Sequence, residues 1–367
     1  MVLLHFIRKL KSKIVEELRF IVNILKRLKN KIVRESKESY EILKQRNADK
    51  KIYDKNKIQI NTVGYWSDVR DNFFNLSFPE AMFKAIENTK NISKDNFQLC
   101  SYKPVIEFFS VNSKHNAIDK SKAKLKIFYT GEDVNKNYLN FHDMLLDKTD
   151  LSIGFDYPDM RDNRKNYIRY PFWLLRYFEY TEDKDNILEK VKWFNSRQNN
   201  RERFCSYVAR HDEDGFRKQL VDIVNEVAPV SCAGAHLHND DTLKTIYNND
   251  KLAYNSHFML NVCPENVSVR GYTTEKLFDA FAAGCIPVYC GSEGKPEDFI
   301  NINSIVYFDG NNKTEVIEII KRLKDDENYY NEFIKQPRLF DNAVDCIYNL
   351  NKNLRLKFEE ILESKNF

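Results

Sequence analysis

Short apolar, β-branched runs alternate with amphipathic helical patterns twice along this chain, and that repetition limits its fold more than any other feature. In the first set, Ile58, Ile60 and Thr62 alternate in "KIQINTVGYW". "VIEFFSV" (105–111), "KLKIFYTG" (124–131) and "LSIGFDYP" (151–158) follow as strands, with helical patterns around 79–88 and 137–146. A polar stretch over 181–202, built around one short helix, reads as a crossing between domains. The second set runs "RFCSYVA" (strand), "FRKQLVDIVNEV" (helix), "FMLNVC" (strand), "TTEKLFDAFAAG" (helix), "CIPVYCG" and "SIVYF" (strands). The helices "KTEVIEIIKRLKDD" and "NLRLKFEEILESK" close the chain. Strand–helix alternation dictates parallel sheets covered by helices, and 367 residues leave room for two cores. The predicted fold is α/β: two doubly wound, Rossmann-like domains over 55–180 and 195–350, facing a cleft, with a helix over 351–367 packing back on the first. Ligands of such sheets bind at the carboxyl ends of the strands.

The net charge of +4 hides an asymmetry, because residues 1–34 alone carry about +8 and leave about −4 for the rest. In that segment Leu3, Ile7, Leu10, Ile14, Leu18, Ile21, Leu25, Leu28 and Ile32 recur at helical spacing. Residues 1–50 therefore read as a basic amphipathic helical extension. It is suited to an anionic membrane surface, or equally to a coiled coil or to docking on the chain's own body. The charged stretch up to Lys57 reads as a linker. The stripe lacks the aromatic interleaving of a nucleic-acid stacking surface, so no nucleic acid is expected as partner. The seven cysteines form no CxxC pair and several sit in apolar runs. Buried thiols in a reducing, cytoplasmic setting are expected rather than a disulfide framework. No apolar run approaches the roughly 18 residues of a membrane span, and the N-terminus lacks the pattern of a secretory signal.

With ten glycines the chain has no GxGxxG, no Walker loop and no GxSxG elbow, which removes support for dinucleotide oxidoreduction, P-loop chemistry and α/β-hydrolase chemistry. "DED" at Asp212–Asp214 has the acid-x-acid form of a metal site, but such triplets come cheaply among 54 acidic residues. His236 and His238 in "HLH" would share one side of a strand, with no third ligand nearby. The stretch "GYTTEKLFDAFAAGCIPVYCG" (271–291) carries more. Its helix is expected to start at Thr273 or Thr274 and run to Ala283, with Thr273 as cap. Free N–H groups and the dipole make that end a seat for phosphate. Lys276 at the positive end of a dipole makes better sense beside an anion than without one. Glu275 can accept from sugar hydroxyls.

These residues, with "PENVSVRGY" before them, resemble the signature of the α1,3/4-fucosyltransferase family, in which Phe-Glu-Asn and Tyr-Val-Thr-Glu-Lys precede a small-residue helix and an Ile/Val-Pro strand. Pro264 stands where the family has phenylalanine, and Thr273 where it has valine. "IFYTGEDV" (127–134), "LSIGFDYPD", "YIRYPFWL", "RFCSYVAR" and "GFRKQL" resemble further family segments in the same order, so the likeness covers about residues 58–300. The cysteine pairs of animal members are absent, as in bacterial-type enzymes.

The resemblance implies a GT-B-type enzyme that transfers L-fucose from GDP-fucose to an N-acetyllactosamine-type or related glycan, with inversion and with no metal or other cofactor. It places the base on Glu132 and the diphosphate on Arg217 and Lys276. Glu275 falls where donor sugars are contacted, and Tyr272 on a donor-site aromatic. Glu265, Asn266 and Thr274 complete the implied donor set. Arg169 is a weaker candidate, and Tyr65, Trp66 and Phe155 are candidates for stacking on the acceptor. An acceptor in surface polysaccharide or lipopolysaccharide would place the protein on the inner face of the cytoplasmic membrane, held by residues 1–34. Two other readings stay open: a transferase of the same shape with another nucleotide-sugar donor, and a non-catalytic glycan-binding or membrane scaffold.

Overall fold

The structure is a computed structural model that describes residue 29 and residues 39–65, 67–212, 215–291 and 296–365. Apart from Lys29, the basic stripe expected over 1–34 lies outside these residues, as does Trp66. The chain divides into two compact units. The smaller contains residues 39–61 and Asn96–Val105. Here residues 39–52 are helical, the last stretch of the extension expected over 1–50, where the charged segment up to Lys57 was also read as a linker. The segment is tied down: the Asp49 carboxylate accepts from the Ser101 amide (2.6 Å) and hydroxyl (2.5 Å). Strand β1 (Ile58–Val63) starts in this unit and pairs in parallel with β2 (Phe97–Leu99), a strand too short to show an alternating pattern.

The larger unit, Thr62–Asp95 with Ile106–Phe367, holds both halves of the predicted α/β fold, so the expected boundary near 180–195 falls inside one compact body. Its first sheet pairs β3 (Ile106–Phe109), β4 (Leu125–Tyr129), β5 (Leu151–Gly154) and β6 (Tyr167–Arg169) in parallel. Nearly every residue of β3, β4 and β5 is buried, as both faces of a covered parallel sheet require. Helix α1 (Ser77–Lys90) covers it with Phe78, Met82, Phe83 and Ile86. The segment 137–146 is not the expected helix: it holds one short 3-10 turn, and Met144 and Leu145 adopt left-handed φ of 53° and 51°. Its apolar residues are core all the same, since Phe141 stacks on Phe128 at 5.6 Å. A helix-like spacing of buried side chains was met there by turns. After α2 (Phe172–Tyr177) the chain crosses through α3 (Lys184–Asn195), capped by the Asp183 carboxylate on the Asp185 amide.

The second sheet comprises β7 (Arg203–Tyr207), β8 (Val230–Cys232), β9 (Phe258–Val262), β10 (Ile286–Tyr289) and β11 (Val306–Tyr307). All are parallel, in the order β11-β10-β9-β7-β8. Helices α4 (Phe216–Asn225) and α6 (Lys313–Asp325) bury Leu220, Val224, Val316 and Ile320 against Leu260, Val262 and Val288. The order reverses between β7 and β9, so the loops leaving those strands diverge and open a crevice. On the other side lies α5 (Glu275–Ala282); α7 (Glu327–Ile334) follows α6.

The last helix, α8 (Asn342–Ser364), is longer than predicted and returns to α1 and α3. Leu354, Phe358 and Leu362 are fully buried in it. Asn351, also fully buried, accepts from the Tyr170 hydroxyl (2.8 Å) and donates to the Thr181 carbonyl (2.8 Å). No disulfide joins any of the described cysteines, six of which are buried. Among the described residues no helix is long and apolar enough to cross a membrane.

Candidate active site

Glu132 follows β4 by three residues. The Thr130 hydroxyl accepts from the Glu132 amide (2.9 Å), folding the chain into a tight turn at the strand's carboxyl end. Gly131 contributes through its lack of a side chain rather than a special φ: a Cβ there would stand 2.9 Å from Phe172. The carboxylate points into a cavity of about 250 Å³ whose other wall is the switch point of the second sheet. Val208–His211 reach it from β7, Cys263, Pro264 and Asn266 from β9, and Glu275, Lys276 and Asp279 from α5. Arg217 of α4 lines both this cavity and an adjoining polar one of about 380 Å³, which also touches Glu132, Asn137 and His211.

The cationic side chains are built in. Arg217 is buried; its Nη1 donates to the His211 carbonyl (2.6 Å) and its Nη2 to Asn266 Oδ1. Asn266 is thus an orienting partner of Arg217 as well as a lining residue. Lys276 Nζ lies 3.2 Å from Glu265 Oε2 and 3.1 Å from Thr274 Oγ1. Burial works against its charge, but Glu265 and then Glu275 outweigh this and raise its pKa above the ordinary lysine value.

The helix cap is Thr274, not Thr273: its hydroxyl accepts from the Lys276 amide (3.4 Å), and the helix starts at Glu275 and ends at Ala282. Glu265, 1% exposed, accepts from the Thr274 amide (2.7 Å) and hydroxyl (2.6 Å), the Tyr289 hydroxyl (3.2 Å) and Lys276. Glu265 and Thr274 therefore stand behind the cavity wall, holding Lys276, and not at its surface as the implied donor set would have them. Tyr272 is likewise buried. It packs edge-on against Phe155 (4.7 Å) and its hydroxyl donates to Glu132 Oε2 (3.3 Å), so it orients the carboxylate instead of covering a nucleotide. The left-handed Gly271 (φ 78°) brings this loop against Tyr157, whose ring a Cβ would meet at 2.9 Å.

Burial raises the pKa of Glu132 above the ordinary carboxylate value; Lys276 and the Tyr272 hydroxyl oppose this, and Glu275 adds to it. A raised pKa suits a base that must take a proton and hold it. Removing the hydroxyl in Tyr272→Phe deletes a bond that favours the ionised form. The acid limb of a pH–rate profile is therefore expected to move to higher pH; an unmoved limb would show that Tyr272 does not act on Glu132.

The other candidates lie elsewhere. Phe155 is buried against Tyr272 and Val267, so it cannot stack on an acceptor. Tyr65 lines a separate, apolar pocket that also reaches Glu132. Arg169 is buried in an ion pair with Glu297, whose carboxylate also accepts from Trp173 Nε1 (3.2 Å), and its guanidinium lies 4.4 Å from the Tyr157 ring centre. His236 lies in a turn and His238 just after it, neither in a strand: His236 meets the Tyr207 hydroxyl (2.8 Å) and His238 meets Asp241 (3.0 Å). Asp212 accepts from the amides of Arg217 (3.2 Å) and Lys218 (2.8 Å), capping α4. Among the described residues no group of three His, Cys, Asp or Glu is placed to hold a metal ion. Sequence reasoning missed His211, Asn137 and Asp279; the place of His211 in the loop after β7 and of Asp279 one turn into α5 could have marked two of them, and no local signal marks Asn137.

Comparison with known proteins bears on this arrangement. Residues 197–341 match the family described as "Glycosyltransferase family 10 (fucosyltransferase) C-term", and residues 72–177 match the "Alpha-(1,3)-fucosyltransferase FucT N-terminal domain". The chain is 30% identical over 276 residues to the alpha-(1,3)-fucosyltransferase FucT of Helicobacter pylori, covering 65% of this chain and 53% of that one. It is 21% identical over 339 residues to a putative fucosyltransferase of Acanthamoeba polyphaga mimivirus, covering 89% and 51%. The chain thus spans about half the length of these curated relatives. A solved structure of an α1,3-fucosyltransferase with GDP-fucose shares the two-sheet fold, with a TM-score of 0.53 at 21% identity over 82% of this chain and 90% of that one.

Proposed function

This chain belongs to the fucosyltransferases of glycosyltransferase family 10, and from that premise we propose that it transfers L-fucose from GDP-fucose to a hydroxyl of an N-acetyllactosamine-type or related glycan, in α1,3 linkage, with inversion and without a metal ion. The observation that carries this reading is one cavity that joins a carboxylate of raised pKa, Glu132, to two cationic side chains held in place by their neighbours, Arg217 and Lys276. In the proposed single displacement, the acceptor hydroxyl gives its proton to Glu132 as its oxygen bonds to the anomeric carbon. The bond from that carbon to the diphosphate oxygen breaks, and GDP leaves with the electron pair. Arg217 offers two parallel N–H groups to phosphate oxygens and Lys276 a compact charge. Together they meet the charge that builds on the leaving group, the task a divalent cation performs elsewhere. Glu275, at the open end of α5, is assigned to donor hydroxyls.

The test is GDP release from GDP-fucose with and without N-acetyllactosamine, in EDTA. Acceptor-dependent release is expected to survive the chelator. Release that needs an added divalent cation would overturn metal independence, and release from a different nucleotide sugar alone would overturn the donor.

We further propose that residues 1–34 hold the enzyme on an anionic membrane surface, where lipopolysaccharide or a related surface glycan is assembled. The support is the apolar stripe with its charge of about +8. Full-length protein is expected to float with anionic liposomes while a version beginning at Asn56 stays behind. Equal flotation of both would sink the idea.

A further inference from the structure

The loop that carries Tyr272 leaves β9 in the second half of the chain but closes on the first. A turn, in which the Val269 carbonyl accepts from the Tyr272 amide (3.0 Å), presents Arg270 and Gly271 to the segment just after β5. Phe155 of that segment forms a small buried cluster with Val267 and Tyr272. Tyr157, two residues on, meets the loop in two ways. The Arg270 guanidinium lies 4.6 Å from its ring centre. Gly271 comes so close that a Cβ there would stand 2.9 Å from the ring and 3.4 Å from the Phe155 carbonyl oxygen. The ring has its own support in the Arg169 guanidinium, 4.4 Å from its centre, which is fixed in turn by the buried Glu297.

Two contacts hold Arg270, and they are unequal. Its ion pair with Asp159 (2.6 Å) leaves the two side chains 52% and 57% exposed. Such a pair contributes little and is screened by salt. The Tyr157 ring is half-buried, and a guanidinium over an aromatic ring gains as water is removed. What the loop delivers is the Tyr272 hydroxyl, 3.3 Å from Glu132 Oε2. The contacts therefore run from the segment after β5 through Tyr157, Gly271 and Tyr272 to the carboxylate after β4. The other charges that bear on Glu132 are Lys276, Glu275 and Glu265. Arg217 and His211 share its cavities, and Arg176 lines the apolar pocket beyond it. Lys276 and Arg217 have partners outside residues 269–272, so both should stay in place when Tyr157 is cut back.

We propose that Tyr157 is a positioning residue for the base: its ring seats residues 269–272 so that Tyr272 meets Glu132. The inference rests on the fucosyl-transfer reading above. It is tested by following acceptor-dependent GDP release against pH in single and double variants, with GDP affinity measured by calorimetry. Tyr157→Leu should lower kcat by about 10–10²-fold, the cost of misplacing a reacting group, at unchanged GDP affinity. Losing the Tyr272 bond removes support for the ionised carboxylate, so the acid limb should move to higher pH, as in Tyr272→Phe. The double variant Tyr157→Leu/Tyr272→Phe should move it no further than Tyr272→Phe alone. Tyr157→Phe keeps the ring and should restore most of the rate. Asp159→Asn, which cuts only the exposed ion pair, should cost less than about fivefold. An unmoved limb in Tyr157→Leu, or shifts that add in the double variant, overturns the proposal. So does a Tyr157→Phe or Asp159→Asn protein as slow as Tyr157→Leu. A Tyr157→Leu protein that no longer binds GDP overturns it too, because the ring then serves the fold as a whole. Wild-type protein with no acceptor-dependent release would instead strike the fucosyl-transfer reading.

Discussion

Glu132→Gln is expected to lower acceptor-dependent GDP release by about 10²–10⁴-fold, the span that a positioned general base contributes. The substitution keeps the side chain's size and can still accept from the Tyr272 hydroxyl, so the loop that carries Tyr272 should stay seated. It removes the ability to take a proton. GDP-fucose affinity should change little, because the charges assigned to the diphosphate, Arg217 and Lys276, have other partners: His211 and Asn266 for the first, Glu265 and Thr274 for the second. Single-turnover measurements at saturating donor separate the two effects. A variant that keeps more than about a tenth of the wild-type rate would remove Glu132 from the base role.

Lys276→Met is expected to fail in two separable ways. It strips the counter-charge from Glu265, whose side chain is wholly buried and keeps only neutral donors. An uncompensated buried carboxylate of this kind should cost about 3 kcal/mol in chemical denaturation. It also removes a charge assigned to the diphosphate, which should weaken GDP binding by about 10²-fold. Adding Glu265→Gln to the same chain removes the orphaned charge. Stability should then recover in large part while GDP affinity does not. If affinity returns together with stability, Lys276 serves the fold alone and the diphosphate is held by other groups.

Much of this was legible in the sequence because the strands are buried on both faces. A run such as "IFY" or "FMLNV" has little freedom to be anything but a covered parallel strand, and the residues just past such strands face a crevice by geometry alone. Glu275 and Lys276 were read from the helix mouth they occupy, Glu132 and Arg217 from the family resemblance, and all four share one cavity. What the sequence could not separate was the layer touching a ligand from the layer behind it. Glu265, Thr274 and Tyr272 stand within eleven residues of Lys276 and have the right chemistry. Only the fold shows that their polar atoms are turned on Lys276 and Glu132. Phe155 misled for the same reason: an aromatic just after a strand can face a cleft or plug it. The segment 137–146 misled differently, since buried side chains three and four apart arise in consecutive turns as readily as in a helix.

The return of α8 to α1 has a consequence for how the protein is made. The surface of α1 that α8 covers waits for Leu354, Phe358 and Leu362, some 270 residues downstream of Phe78 and Met82. On the ribosome, the first sheet emerges early but leaves part of that helix layer open until the second half has been synthesised. The buried amide of Asn351 then joins Tyr170 to Thr181. The half that bears Glu132 therefore lacks part of its packing until α8 is made, although it is translated first.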